Sequence, residues 1–546
     1  MNRTLVALVA ALAILNASLS FHNVWPTPII GWRGELSLEF AAMLLLLAAL
    51  TRWWRVPRSR FLRGMAALWV VLAIGHYADV TTPALYGRDI NLYWDAQYMP
   101  DVAAMIARAA PLWLIAAAVA AVALAIAILF LMFCWAFYCV AQAMAQARAR
   151  RWLAALAIGM FVVFGVQKLI ASRSTEVYEF DPVVTFAPPV TLTYARQARL
   201  VLAARAGEHT LPPSPKMDAD LSRVRGADVT LIFIESYGAL AYERPDIARP
   251  LEAARTELAA AIRDTHQQVV SAFVESPTFG GSSWLAHISL MSGIEVRDPA
   301  TNASLMSQQR ETLVTAFKRQ GYRTVAMMPG LRQRWPEGAF YGFDEIYGAA
   351  RLDYRGPEFG WFAVPDQFSL ARVEALERDA RSQAPTFMFF PTISTHFPFI
   401  PSPPYQPDWA RMLTDHPYGG RAIVEAYDHE PDWTSFGPGY VRAMTYTYQT
   451  LAGYLRMTAG RDRVLIVLGD HQPAAAVSGE GATWDVPVHV IAPDGSRPDR
   501  SIVLATLRQH GFGAGLTPHR PPLGKMHTLL PLLLDAFSAP PPRGQP

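Results

Sequence analysis

Cysteine is almost missing from this chain. Its 546 residues hold two, Cys134 and Cys139, both inside one apolar run. Nothing after Cys139 can be braced by a disulfide, and no thiol there can serve as nucleophile or metal ligand. Charge is also scarce. Asp, Glu, Lys and Arg make up 17% of the chain, against 52% hydrophobic residues, where a soluble protein carries about a quarter charged. That deficit assigns part of the chain to a membrane. A poly-basic tail and an interleaved basic and aromatic pattern are both lacking, so there is no case for nucleic acid. The net charge of +3 is too small to name a partner. No internal repeat is visible, and the length exceeds one ordinary domain.

What the chain does have is long apolar runs. Five lie in the first 171 residues, at 4–21, 36–51, 65–79, 110–140 and 152–171. The first, fourth and fifth approach or exceed the ~20 residues that span a bilayer; the second and third need flanking residues. No small-x-small cleavage site ends the first run, so it reads as an anchor. Arginine sets the orientation. Arg52, Arg55, Arg58, Arg60 and Arg63 follow run two, and Arg148, Arg150 and Arg151 follow run four, with no acid in either link. The link after run three carries Asp89, Asp95 and Asp101 beside Arg88. Five spans therefore place the amino terminus inside and everything after about 172 outside. Trp25, Trp32, Tyr86 and Trp94 suit the outer interfacial belt. Glu39, His76, Asp79 and Lys168 fall near outer span ends, where a local ion pair or snorkelling explains them.

Residues 172–227 form a connector. Tyr194 to Arg205 reads as an amphipathic helix lying along the membrane surface. From 228 to 538 strands alternate with helices, which predicts an α/β domain with a mainly parallel sheet. The strands are expected at 228–235, 268–274, 322–328, 386–394, 463–469 and 486–492. Helices are expected near 247–264, 283–292, 309–320, 366–382, 437–458 and 525–537. The tail, 539–546, is proline-rich and reads as disordered.

Two strands carry chemistry. Val229 to Ile234 is a buried-strand run that delivers Glu235, followed by Ser-Tyr-Gly. Val464 to Leu468 is another, ending in Gly469-Asp470-His471. Ligands in such sheets sit outside the carboxyl ends of the strands. Glu235, Asp470 and His471 make an O/O/N set for a divalent cation, with manganese expected first and zinc or magnesium also compatible. The loop Thr278-Phe-Gly-Gly-Ser282-Ser283 precedes a helical pattern. A hydroxyl in that first turn meets free N–H groups and the positive end of the helix dipole. Either serine can be the functional one, or a simple N-cap.

Taken in order, Ile-Glu235-Ser-Tyr-Gly, Gly-Gly-Ser-Ser, Thr395-His396-Phe-Pro-Phe and Gly-Asp470-His471 resemble the lipoteichoic acid synthases and related phosphoglycerol transferases, within the alkaline phosphatase and sulfatase superfamily. The resemblance covers 228–535 in motif and nearly the whole chain in outline, five spans followed by an extracytoplasmic catalytic domain. It implies that Glu235, Asp470 and His471 bind a metal with a hydroxyl nucleophile as fourth ligand, matched to Ser283 with Ser282 as its neighbour. It implies that His396 contacts the transferred group or leaving oxygen, and that Trp335 lines the headgroup pocket. Where those synthases have Arg two residues past that Trp, this chain has Glu337, leaving Arg332 or Arg334 to supply the charge.

The implied function is transfer of a phospholipid headgroup, phosphoglycerol first, through a phospho-serine to a glycan or lipid-linked envelope acceptor at a bacterial cytoplasmic membrane. A phosphoethanolamine transferase or a phosphodiesterase of the same superfamily is the alternative. Domains of the former resemble disulfide-braced folds, which the missing cysteines disfavour. A formylglycine sulfatase needs C/S-x-P-x-R, and position 285 is Leu and 287 His. An outer domain that only binds a glycan or partner is the non-catalytic alternative. His287 and His489 read as structural; His519 and His527 carry no assigned role.

Overall fold

The computed structural model describes residues 3–24, 27–54, 57–87, 89–92, 95–96, 99, 103, 112–173, 184–206, 211–331, 335, 338–360, 362–379, 384–429, 432, 435–495 and 497–540. Trp25, Arg55, Arg88, Trp94, Asp101, Arg332, Arg334 and Glu337 lie outside the described residues, as does 541–546 of the tail. The chain divides into two compact units, Met1–Ala206 and Gly207–Pro546.

In the first unit all five apolar runs are helical: α1 (Arg3–Ala17), α2 (Leu38–Trp54), α3 (Ser59–Tyr86), α4 (Leu112–Met144) and α5 (Ala147–Arg173). Three are long and apolar enough to cross a membrane by length and composition: α3, α4 and the Ala147–Ile170 part of α5. The lengths depart from the apolar runs for local reasons. Ser18 Oγ donates to the Leu15 carbonyl (2.9 Å) and Ser20 Oγ to that of Asn16 (3.1 Å). Such bonds compete with helix propagation, so α1 stops at Ala17. The chain then enters β1 (Phe21–Asn23), antiparallel to β2 (Ile30–Trp32). By contrast α3 outruns its apolar core to 28 residues, ending where Gly87, at φ +77°, donates its N–H to the Pro83 carbonyl (2.8 Å); left-handed glycine is the usual helix stop.

The connector helix α6 (Val190–Ala206) is expected to lie on a membrane surface, but within its unit it bonds to α2 and α3 through polar side chains. Thr191 donates its N–H and its hydroxyl to Glu39 Oε1, 2.9 Å each, and Thr193 donates to Asp79 (2.8 Å). Arg196 pairs with the same Asp79 at 2.7 Å. Tyr194 donates to the Val71 carbonyl beside Gly75, where a Cβ would sit 2.2 Å from the phenol oxygen. His76 Nε2 meets the Phe21 carbonyl at 2.8 Å, and Lys168 lies over the Phe164 ring. Local pairing thus accounts for all four span-end groups.

The second unit holds an eight-stranded mixed sheet. In chain order its elements are β3 (Asp228–Ile234), α7 (Glu252–Asp264), β4 (Gln267–Glu275), α8 (Ser283–Ser292) and α9 (Leu313–Arg319). There follow β5 (Arg323–Met328), β6 (Glu345–Gly348), α10 (Asp366–Asp379), β7 (Thr386–Pro391) and α11 (Gly437–Met457). The last are β8 (Arg463–Gly469), β9 (Asp485–Pro493), α12 (Pro498–Gln509), β10 (Gly513–Ala514) and α13 (Leu529–Phe537). All six expected strands form. The short edge strands β6 and β10 and helix α12 carry too little apolar pattern to be read in advance.

The strand order is β10-β4-β9-β8-β3-β7-β5-β6. From β8 to β6 the neighbours are parallel; β9 is antiparallel to both β8 and β4. Strand β4 therefore runs in the same direction as β3 and β8. Successive strand residues point to opposite faces. Val229, Leu231 and Phe233 of β3 pack with α8, α9, α12 and α13, while Ile232 and Ile234 pack with α7, α10 and α11. Both faces being covered explains the near-continuous apolar strands.

Candidate active site

The parallel direction of β3, β4, β7 and β8 delivers four chain segments to one sheet edge. After β3 comes Glu235, and after β8 come Asp470 and His471; all three are buried, with at most 8% exposed. Their ligand atoms lie within 4.8 Å of one another. After β4 comes the glycine loop, with Gly280 at φ +66° and Gly281 at φ +145°, which leads to Ser283 as the first residue of α8. Ser283 Oγ donates to Glu235 Oε2 (2.9 Å) and lies 3.2 Å from His471 Nε2.

Second contacts fix this arrangement. Ser276 Oγ donates to the Asp470 carbonyl (2.5 Å) and Gly280 N–H to that of Gln472 (3.0 Å), fastening the serine loop to the end of β8. Glu235 donates its backbone N–H to Thr392 Oγ1 (3.0 Å), and Thr395 Oγ1 donates to the Glu235 carbonyl (2.5 Å). Ser236 N–H and His471 N–H both donate to Asp470 Oδ1, at 2.9 and 2.6 Å. Ser236 and Ser282 adopt φ of +59° and +62°, a left-handed backbone that is uncommon outside glycine and concentrates at functional sites. Ser282 occupies the N-cap position of α8, yet its side chain caps nothing.

The approach of β3 and β8 also explains a glycine. A Cβ on Gly469 would lie 1.8 Å from the Tyr237 carbonyl oxygen, a backbone atom with no freedom to move aside. Gly469→Ala is therefore expected to cost about 3 kcal/mol of stability, the overpacking range, read by chemical denaturation of the detergent-solubilised chain.

His471 Nδ1 lies 2.7 Å from the Gln472 carbonyl. A carbonyl only accepts, so Nδ1 carries the hydrogen and Nε2 presents a lone pair. That lone pair faces Glu235 Oε1 at 3.5 Å and Asp470 Oδ2 at 3.6 Å. Two buried carboxylates and an imidazole lone pair converging on one point fit a divalent cation. Without one, burial and the adjacent charge of Glu235 hold the Asp470 carboxyl well above the usual range. For Glu235 burial acts upward as well, but His471, His396 and the Ser283 hydroxyl outweigh it and hold that carboxyl low.

His396 follows β7 in a loop that Asp366 braces by accepting the N–H groups of Ile393 (2.9 Å) and Ser394 (3.0 Å). Burial pushes the Asp366 carboxyl up to about 6 against those two bonds. His396 Nδ1 bonds the Phe397 carbonyl (2.8 Å), leaving Nε2 free, and its ring packs edge-on against Phe362. Asp366, Thr392 and Ser276 escaped the sequence reading, although a hydroxyl just past a strand end was a usable signal. Trp335 packs on Tyr341 and Gly338, and no hydrogen bond ties it to the carboxylate cluster.

His287 is buried against Phe233 and Phe389, with Nε2 unpartnered; burial lowers it to about 3. His489 bonds Ser271 (2.7 Å) and Tyr237 (3.0 Å) and is likewise lowered to about 3 by burial, a neutral core group. His519 packs on Gly513, and His527 lies in the turn Met526–Thr528.

The sulfatase family model matches residues 288–506, starting just past Ser283 and including His396, Asp470 and His471. No curated protein matches the sequence. Among solved structures, the lipoteichoic acid synthase LtaP of Listeria monocytogenes is 13% identical, over 54% of this chain and 71% of that one, at a TM-score of 0.36. The Streptococcus pyogenes phosphoglycerol transferase GacH, in complex with sn-glycerol-1-phosphate, is 13% identical over 62% and 91%, at 0.33. The periplasmic domain of the Campylobacter jejuni phosphoethanolamine transferase EptC is 11% identical over 57% and 89%, at 0.35. No residue role here rests on these distant likenesses.

Proposed function

We propose that this chain, a sulfatase-like enzyme by its sulfatase-family domain, transfers the phosphoglycerol headgroup of a membrane phospholipid to a glycan or lipid-linked acceptor of the cell envelope. The observation that carries this reading is Ser283 Oγ, seated between Glu235 Oε2 and His471 Nε2 at the start of α8. Glu235, Asp470, His471 and the Ser283 oxygen would hold a divalent cation, manganese first. Such a cation supplies charge for phosphate oxygens and lowers the pKa of a bound hydroxyl.

The chain's own residues do the rest. The first-turn N–H groups of α8 donate to the non-bridging phosphate oxygens. Ser283 Oγ passes its proton to Glu235 Oε2, which it already bonds at 2.9 Å, and attacks phosphorus in line; the O–P bond to Ser283 forms as the bond to the diacylglycerol oxygen breaks, and the same carboxyl returns the proton to Ser283 Oγ when the acceptor displaces it. His396 gives that oxygen its proton, then removes one from the acceptor hydroxyl as it displaces the phospho-serine. Trp335, Ser282, Arg332 and Arg334 are assigned to the headgroup. The missing formylglycine pattern and the lack of cysteine in this unit weigh against sulfate-ester chemistry and against a disulfide-braced relative.

Three apolar helices of membrane length support a membrane protein. The arginine pattern supports five spans in a bacterial cytoplasmic membrane with the second unit outside. A reporter active only outside the cytoplasm should work when fused after 172 and fail near Arg58; the reverse pattern overturns this topology.

The function is tested by incubating the purified chain and manganese with mixed phospholipids. Diacylglycerol should appear as phosphatidylglycerol is consumed. Consumption of phosphatidylethanolamine instead replaces the proposed headgroup, and no lipid product overturns the reading.

A further inference from the structure

His396 stands on a loop without regular secondary structure: from Ile393 to Gln406 there is neither helix nor strand. Its backbone groups must find partners elsewhere, and several come from one short stretch, 362–367, that leads into α10. Asp366, 2% exposed, divides its carboxylate between two neighbouring amides. Oδ1 accepts the Ile393 N–H (2.9 Å) and Oδ2 the Ser394 N–H (3.0 Å). Ser394 Oγ in turn accepts the Asp366 N–H (3.2 Å). Gln367, wholly buried, holds the far end of the loop in the same reciprocal way. Its Nε2 donates to the Gln406 carbonyl (2.6 Å), and its Oε1 accepts the Gln406 N–H (3.0 Å). Phe362 meets the His396 ring edge-on, with centroids 5.0 Å apart.

Both ends of the loop are thus fixed by adjacent residues of one helix, which is itself packed on the sheet. Between the ends the loop closes on itself. His396 N–H donates to the Ile393 carbonyl (3.1 Å) and Phe399 N–H to the His396 carbonyl (2.9 Å). Thr395 Oγ1 links the same loop to the Glu235 carbonyl (2.5 Å). The imidazole takes its direction from its own backbone, through Nδ1 and the Phe397 carbonyl (2.8 Å), so whatever fixes that backbone fixes Nε2. A general acid must lie within hydrogen-bond reach of the oxygen it protonates. A displacement of about 1 Å can cost roughly 10²-fold in rate.

We propose that Asp366 and Gln367 are positioning residues for the chemical step: they hold the His396 loop at both ends so that Nε2 stands where the leaving oxygen forms. This role rests on the transferase reading, in which His396 protonates that oxygen. The test compares two leaving groups in a single turnover, with the full-length chain in detergent, loaded with manganese and in excess over the donor. From phosphatidylglycerol the P–O bond breaks toward the diacylglycerol oxygen, which needs the proton. From the p-nitrophenyl ester of glycerol phosphate it breaks toward p-nitrophenolate, which leaves as a stable anion and needs none. Asp366→Asn keeps the shape but turns an NH2 toward one of the two amides. Gln367→Met keeps the length without either bond. Each should slow diacylglycerol release about tenfold or more, yet slow p-nitrophenolate release by less than about threefold. Ser394→Ala, at a half-buried position, removes only the acceptor for the Asp366 N–H. It should shift the ratio of the two rates in the same direction by less, and it decides the matter if the buried variants do not fold. Equal slowing of both substrates, or slowing of neither, overturns the proposal. A wild type that releases p-nitrophenolate but no diacylglycerol overturns the transferase reading itself, and this role with it.

Discussion

Ser283→Ala is expected to lower turnover by on the order of 10⁴-fold or more, as removal of a nucleophile does, while leaving the fold intact. The change removes one oxygen at the first position of α8, and Glu235 keeps its bond from Ser236 Oγ (2.9 Å). Ser282→Ala should cost far less, because that hydroxyl caps nothing. Ser283→Thr should retain part of the rate, since the hydroxyl survives and one methyl is added. Rapid quench with labelled phosphatidylglycerol, followed by peptide mass analysis, should place the phosphoglycerol adduct on the peptide bearing Ser283. Full turnover in Ser283→Ala, or an adduct on Ser282 or Thr278, shifts the nucleophile; transfer without any adduct replaces double displacement by direct attack.

Glu235→Ala, Asp470→Ala and His471→Ala should each abolish turnover and weaken metal binding by more than about 100-fold, the upper end of what losing an outer partner costs. The physical reason is convergence: the three ligand atoms lie within 4.8 Å of one another in a buried site. Removing one leaves too few donors for a tetrahedral cation. Asp470→Asn separates charge from shape. It ends the repulsion between the two carboxylates, so the metal-free variant should melt no lower than wild type, yet gain nothing from manganese. Metal content of the purified chain and the manganese-induced rise in melting temperature check this. A variant that keeps full metal and full rate shows that the cluster is wrongly assigned.

The residues of the cluster were legible in the sequence because each stands at the end of an apolar run. Val229 to Ile234 and Val464 to Leu468 are β-branched or aliphatic without a break, apart from the aromatic Phe233. That pattern demands a strand covered on both faces, so Glu235 and Asp470 had to emerge at carboxyl ends. The glycine pair before Ser283 and the helical spacing after it marked the first turn of α8. Five helices in the first unit followed from hydropathy, though not their lengths. Bonds such as Ser18 Oγ to the Leu15 carbonyl end a helix without altering its apolar count.

What only the tertiary structure decided is which ends meet. Local periodicity carries no information on strand partners separated by hundreds of residues. The insertion of antiparallel β9 between β8 and β4, which brings the serine loop to the edge that holds Glu235, had no local signature. The same is true of Asp366, whose role is to accept hydrogen bonds from backbone groups of another segment. It holds as well for the pairing of Asp228, Glu374 and Arg463, three residues that meet only because β3, α10 and β8 pack together. Apolar burial sets each element by its own sequence; hydrogen bonds and charges between elements are settled when the elements pack, because their partners come from distant parts of the chain.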